Sequence, residues 1–317
     1  MKLLITGFLG FIGANFTEYI FSKYPDDKIV GVDCLTYAAN LDALSELEKN
    51  KNLTFYKYNI CDKEAMECVF ATERPDVVVN FAAESHVDRS IEDSSAFLQT
   101  NVVGTGVLLD MALKYGVKRF HQVSTDEVYG GVDLEVNENF DEASPLNPSS
   151  AYSASKAAAD LLTMSYMKTH GLSVSISRSS NNYGKYQHKE KLIPMTIDRI
   201  MSDSQICLYG DGKNMRDWLF VMDNCRAIDM IIRAGECGIY NVSDDNHISN
   251  IDLVEKIMCL LGKPDVEIAF VEDRKGHDRK YAVSSEKIKS LGWIPEAEFD
   301  RELKNTVEWY KINIVNN

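Results

Sequence analysis

No two cysteines in this 317-residue chain form a C-x-x-C pair or fall at a metal-like spacing. The seven cysteines (34, 61, 68, 207, 225, 237, 259) are odd in number, in a chain too long to need staples. Reduced thiols in a cytoplasmic setting, with no metal site, are the expectation. No apolar stretch approaches the roughly 20 residues that span a bilayer. The residues after Met1 enter a strand-like run rather than a charged-then-apolar leader. Positive charge is scarce: 34 Lys and Arg against 48 Asp and Glu give a net charge of −14. Such a surface argues against nucleic acid and anionic membranes as partners. A phosphate-bearing ligand must then meet a local cluster of Arg, Lys or helix N-termini. Internal repeats and low-complexity tails are also missing. What is present is ordinary for a globular protein, with 45% hydrophobic and 26% charged residues. The length suffices for one large domain or two modest ones.

Short apolar runs recur at Leu3–Thr6, Ile29–Asp33, Leu53–Tyr58, Val77–Phe81, Phe120–Ser124 and Val174–Ser177. Each has the length and composition of one buried strand. Helical patterns lie between them, at Phe11–Lys23, Ala96–Tyr115 and Tyr152–His170. Alternating β and α elements predict an α/β fold, a Rossmann-type doubly wound parallel sheet. Near Asn181 the pattern turns to short mixed elements, predicting a smaller α/β lobe for substrate. Ile228–Ala234 and Ile239–Val242 read as a helix and strand that rejoin the first unit, so the lobes interleave. The expected division is 1–180 plus about 217–242 for cofactor, and about 181–216 plus 243–317 for substrate. Glu135–Pro148 is polar, contains two prolines and reads as a loop.

Thr6-Gly7-Phe8-Leu9-Gly10-Phe11-Ile12-Gly13 joins the first strand to the first helix with G-x-x-G-x-x-G spacing. Glycines there permit a tight turn, close approach to a pyrophosphate and helix-on-sheet packing. Asp33 ends the second strand, about 20 residues after Gly13. A carboxylate there accepts the adenosine ribose hydroxyls and repels a 2′-phosphate, which favours NAD over NADP.

Tyr152 and Lys156 are four apart and share one helix face. A tyrosine is a poor base at neutral pH, and a nearby ammonium favours its phenolate. That pair suffices for alcohol oxidation beside a nicotinamide. Asp126 and Glu127, after the fifth strand, add two carboxylates that oxidation does not require. They suggest a second reaction, one that takes a proton off carbon and gives another to a leaving oxygen.

These segments resemble the extended short-chain dehydrogenase/reductase superfamily, and within it the dTDP-glucose 4,6-dehydratases. The resemblance spans nearly the whole chain. It includes Asn80–Ser90, Thr100-Asn101-Val102, Ser180–Gly184, Glu190–Pro194, Tyr209–Asn214, Arg216-Asp217-Trp218 and Gly276–Arg279. It implies a three-stage dehydration of a nucleotide-linked glucose to the 4-keto-6-deoxy sugar. Tyr152, helped by Lys156 and Thr125, serves oxidation at C4. Glu127 takes the C5 proton while Asp126 protonates the departing 6-hydroxyl. The hydride then returns to C6. The product is a precursor of rhamnose and several amino sugars.

By the same resemblance Gly7, Gly10, Phe11, Ile12, Gly13, Asp33, Asn59, Ile60, Ala82, Ala83, Thr100, Tyr152 and Lys156 hold NAD. Ser85, Thr125, Asn181, Lys191, Leu192, Tyr209, Arg216, Asn250, Arg274 and His277 meet the nucleotide sugar, with Tyr209 on the base and the arginines on the diphosphate. His277 as a purely structural residue stays open. A homodimer through the helices near Ala96–Tyr115 and Tyr152–His170 is also implied.

The Asp-Glu pair separates this reading from related activities. The 4-epimerases lack both carboxylates, the UDP-glucuronate decarboxylases resemble Ser-Glu, and the CDP-glucose dehydratases carry Lys at position 127. The chain departs from the family pattern at Phe8, Leu9, Asn59, Lys185, Cys207 and Lys275. The departure at Cys207, beside the base pocket, leaves the same reaction on UDP-glucose open. A 4-epimerase, a decarboxylase and a non-catalytic NAD-binding scaffold are the remaining alternatives.

Overall fold

The computed structural model describes residues 1–136 and 139–315. Twelve strands occur among them: β1 (Lys2–Thr6), β2 (Lys28–Asp33), β3 (Leu53–Lys57), β4 (Val77–Asn80), β5 (Arg119–Thr125), β6 (Val174–Ser179), β7 (Asn181–Tyr183), β8 (Ile206–Tyr209), β9 (Met215–Phe220), β10 (Gly238–Val242), β11 (His247–Ser249) and β12 (Ile268–Val271). Seven form one sheet in the order β10-β6-β5-β4-β1-β2-β3. Every neighbouring pair in it is parallel. The strand order reverses between β1 and β4, so a crevice opens there at the carboxyl ends of the strands.

Alternation along each strand feeds two cores. Leu3 and Ile5 of β1 join Phe16, Ile20, Ile228 and Ile232 on one face. Leu4 joins Val69, Phe70, Leu108 and Leu109 on the other. The helices Phe11–Lys23 and Val221–Arg233 cover the first face, and the latter leads into β10 at the sheet edge. A third core gathers Ile193, Ile197, Trp218, Leu253, Ile257 and Leu303. It lies beneath a small sheet, β11-β9-β7, and the pair β12-β8.

Two expectations need correction or restriction. The run Ser95–Lys114 is helical throughout, spans 20 residues and reaches a mean hydropathy of 1.3. By length and composition it could cross a bilayer, contrary to the sequence expectation. Leu108, Leu109, Met111 and Ala112 are instead packed into the core. The stretch Glu135–Pro148 runs as loop and turn among its described residues, with Phe140 bridged to Val283. Asn137 and Glu138 within it, and residues 316–317 of the expected substrate lobe, lie outside the described residues.

Candidate active site

The glycine turn is geometrically obligatory. Gly7 has φ +62°, and a Cβ there would sit 2.7 Å from the backbone of Ala82. A Cβ on Gly13 would meet the Gly7 carbonyl oxygen at 2.3 Å. Phe8 stands where a second glycine is usual, and its ring is accommodated by Gly31 on β2, whose absent Cβ would lie 2.9 Å from it. Phe8 also contacts Phe55 at 5.2 Å between ring centroids. Gly10 caps the helix Phe11–Lys23 with no side-chain hydrogen bond, which leaves the first N–H groups to a ligand.

Of the expected cofactor residues, Gly7, Gly10, Asp33, Asn59, Ile60, Ala82, Ala83 and Thr100 line one cleft. Phe11, Ile12 and Gly13 instead open the helix at its edge. Asp33 Oδ2 accepts from the Leu9 N–H at 3.1 Å and Oδ1 from Leu35 at 2.8 Å. It therefore ties the turn to the end of β2. Asn59 Oδ1 accepts from the Cys61 N–H at 2.9 Å and shapes the floor. Thr100 lies on a π-helical stretch, Leu98–Gly104, where the backbone widens. These cradles and the free helix terminus fit a dinucleotide. Sequence reasoning missed Cys34, Thr36, Tyr58 and Glu84 in the same cleft, because nothing local marks them.

Thr125 ends β5 and caps the short turn Asp126–Tyr129, its Oγ1 accepting from the Glu127 N–H at 3.3 Å. Asp126 is 3% exposed. Its carboxyl is pushed well above the usual range by burial, then by Glu127 and Asp217. Burial raises Glu127 too, but Arg216, Lys191 and Arg274 pull it back. The two carboxyls thus meet different surroundings: acids press on one and cations on the other.

Tyr152 and Lys156 lie on the helix Ala151–His170, which Ser150 and Ser153 start with a capping box. The Tyr152 phenol is pushed up by burial, then by Glu127 and Asp126, while Thr125 opposes this. The sequence expects Lys156 to favour the phenolate. Lys156 Nζ donates to the Val123 carbonyl at 2.6 Å, and burial lowers its ammonium to about 8. The partly buried phenol faces two carboxyls, and the ammonium is turned toward β5.

Lys191 Nζ donates to the Ser85 carbonyl at 2.8 Å, just ahead of Leu192, which opens the helix Leu192–Met201. Asn181 Oδ1 is buried with no hydrogen-bond partner. Arg216 is buried on β9 over the Tyr281 ring at 4.4 Å and donates to the carbonyls of Met215 and Asp278. Tyr209 is flanked by Arg274 at 5.1 Å and by the His277 ring at 6.1 Å. His277 Nδ1 pairs with Asp273 at 2.6 Å. Asn250 opens the helix Asn250–Leu260, its N–H donating to the Asn214 carbonyl. The sequence reading gave no role to Asp88, which holds Arg274 through two bonds of 2.5 and 2.9 Å. The departures from the family pattern also find places. Lys185 forms an ion pair with Glu18 and its carbonyl accepts from Asn15, clamping its loop to the first helix. Cys207 sits within β8, opposite Ala269 of β12. Lys275 is exposed, and nothing in the structure explains it.

The family model described as GDP-mannose 4,6 dehydratase matches residues 4–306. Agl12, a low-salt glycan biosynthesis protein of Haloferax volcanii, is 46% identical over 311 residues, covering 98% of each chain. A dTDP-glucose 4,6-dehydratase of Haemophilus influenzae is 44% identical over 336 residues, covering 99% of this chain and 98% of that protein. DesIV, a dTDP-glucose 4,6-dehydratase of Streptomyces venezuelae solved with NAD and a dTDP ligand, superposes with a TM-score of 0.95 at 41% identity. That match covers 99% of this chain and 98% of the other. The chain belongs to this family of nucleotide-sugar 4,6-dehydratases, within the extended short-chain dehydrogenases.

Proposed function

We propose that the protein is an NAD-dependent hydro-lyase that converts dTDP-glucose to dTDP-4-keto-6-deoxyglucose. The observation that carries this reading is the buried Asp126 beside the partly exposed Glu127 on a turn that follows β5, both near the Tyr152 phenol. NAD supplies the hydride acceptor at C4 and the donor at C6, so it is regenerated and the net change is loss of water. Gly7, Gly10 and Gly13 with the helix terminus at Phe11 and Ile12 would hold its pyrophosphate, and Asp33 its adenosine ribose. Asn59, Ile60, Ala82, Ala83 and Thr100 would line its remaining length.

Tyr152 takes the proton of the 4-hydroxyl, with Thr125 holding the same oxygen. The C4 ketone acidifies the C5 proton, which Glu127 removes. Asp126, its carboxyl raised by burial and neighbouring acids, gives its proton to the departing 6-hydroxyl. Glu127 returns a proton to C5 at the last stage. Lys191, Arg216 and Arg274 give an acidic protein its local positive site for the diphosphate. Ser85, Asn181, Leu192, Tyr209, Asn250 and His277 would complete the nucleotide pocket.

The division into a cofactor unit and a substrate unit is supported by the separate sheets, except that β9, which the expected boundary at about 217 splits, belongs to the small sheet. We assign the protein to the cytoplasm, on its seven unpaired cysteines. We also assign it a homodimer, because Leu98, Val103 and Leu161 are 52%, 47% and 64% exposed on the helical run Ser95–Lys114 and the helix Ala151–His170. The product belongs to deoxysugar biosynthesis, rhamnose included.

Incubation with dTDP-glucose, and separately UDP-glucose, tests the reading. Mass spectrometry should find a dTDP-sugar lighter by one water, without stoichiometric added NAD. The same product mainly from UDP-glucose would keep the chemistry and reassign the nucleotide. An isomer of unchanged mass would replace the reading with an epimerase.

A further inference from the structure

The proposed chemistry needs two elements held at a fixed separation: the helix with Tyr152 and Lys156, and the turn with Asp126 and Glu127. Neither touches the other through a backbone ladder. Besides the apolar packing of Ala157 against Val128 and Tyr129, a buried polar network that the mechanism leaves unused links them. Asp160 lies one helical turn after Lys156 and is 1% exposed. Its Oδ2 accepts from Arg178 Nε at 2.8 Å. Arg178, on β6, is 3% exposed. Its Nη1 donates to the Tyr129 hydroxyl at 2.8 Å, and its guanidinium lies 4.8 Å from that ring. Tyr129 is the last residue of the carboxylate turn and donates in turn to Asn241 Oδ1 on β10 at 2.8 Å.

The second oxygen of Asp160, Oδ1, is buried without a hydrogen-bond partner. It lies in the neighbourhood of Ser124 and Lys156. The carboxylate is thus paired with Arg178 and shares a helix face with the buried Lys156. The group that Lys156 Nζ touches is the Val123 carbonyl of β5. The helical run Ser95–Lys114 brings the neutral Asn101, bonded to Ser155. Among the charged groups, Asp160 is the one that offsets the burial of Lys156.

We propose that Asp160 is a positioning residue for the reaction: through Arg178 it braces the Tyr152 helix against the Asp126-Glu127 turn, and from one turn along the same helix face it is the counter-charge to Lys156. This rests on the functional reading above but can fail separately from it. A buried cation that loses its only carboxylate sheds its proton more easily.

The test is a 13C NMR titration of the Lys156 side chain in lysine-labelled holoenzyme, assigned with Lys156→Arg. The wild-type ammonium should titrate near 8. Asp160→Asn should move the midpoint down by about one pH unit or more. Asp160→Glu keeps the charge and should leave the midpoint in place. An unmoved midpoint in Asp160→Asn overturns the proposal. If that variant does not fold, a midpoint lowered by Asp160→Glu overturns it instead. Arg178→Gln tests the brace: kcat should fall roughly tenfold to a hundredfold with little change in KM. Unchanged kcat in folded Arg178→Gln would refute the brace. The titration needs no turnover, so an inactive wild type would sink the dehydratase reading and leave this one standing or falling on its own.

Discussion

Replacing Asp126 by Asn should stall the reaction between its first and second stages. The side chain is 3% exposed, and its carboxyl is raised by burial and by two other acids. It is therefore biased toward the protonated form, which a neutral amide matches in charge and shape. Oxidation at C4, which depends on Tyr152, should keep most of its rate. The amide cannot give up a proton as a carboxylic acid does, and general acid catalysis is worth roughly 10²–10⁴ in rate. Water loss should slow by about that factor. In a single turnover NADH absorbance should rise at near wild-type speed and then persist. Stability supplies a second, independent readout. A carboxyl with a raised folded pKa holds a proton that the unfolded chain releases, so wild-type stability falls as pH climbs above the ordinary carboxylate range. Each unit of that interval costs about 1.4 kcal/mol. The Asn variant lacks this slope and should lose less stability as pH rises above the ordinary carboxylate range, as read by denaturant unfolding. An equal slowing of NADH formation and water loss would refute the assignment of Asp126 as the acid.

Three further outcomes follow from single side chains. Glu127→Gln should abolish solvent deuterium incorporation at C5, and normal incorporation would reject Glu127 as the base. Phe8→Ala should cost about 3–5 kcal/mol, because the ring is fully buried against Gly31 and Phe55; calorimetry showing an unchanged Tm would contradict the packing. His121 is fully buried between Ser175 and Ser177, bonded at 2.9 and 3.0 Å, and burial lowers its imidazole to about 3. Its folded pKa lies below the unfolded value, so its contribution is full above about 6.5 and is lost as pH falls toward 3. His121→Gln should flatten the acid limb of the stability curve, measured by urea unfolding.

Much of the main sheet is legible because its strands are buried on both faces and read as unbroken apolar runs. The glycine turn is legible because its constraint is local: a positive φ at Gly7 and close backbone approach at Gly13. The rest depends on contacts distant in sequence. Gly31 makes room for Phe8 from the neighbouring strand, and no pattern near residue 8 announces it. The strands β7 and β11 have only three residues each, and β9 carries Arg216 and Asp217 in a buried strand, so none of the three reads as an apolar run. The four-residue spacing of Tyr152 and Lys156 puts both on one helix face, yet spacing does not fix where a long side chain ends. Burial and the Val123 carbonyl decide that for Lys156. The Asp160, Arg178 and Tyr129 network joins three segments that look unrelated in the sequence.

The central claim is an internal oxidation and reduction on one sugar, joined by loss of water. Its most direct test uses dTDP-glucose carrying deuterium at C4, with product analysis by NMR. The account predicts that the label appears at C6 of a 4-keto-6-deoxy product, transferred within one molecule. Label returned to C4 of an unchanged or epimerised sugar would contradict it.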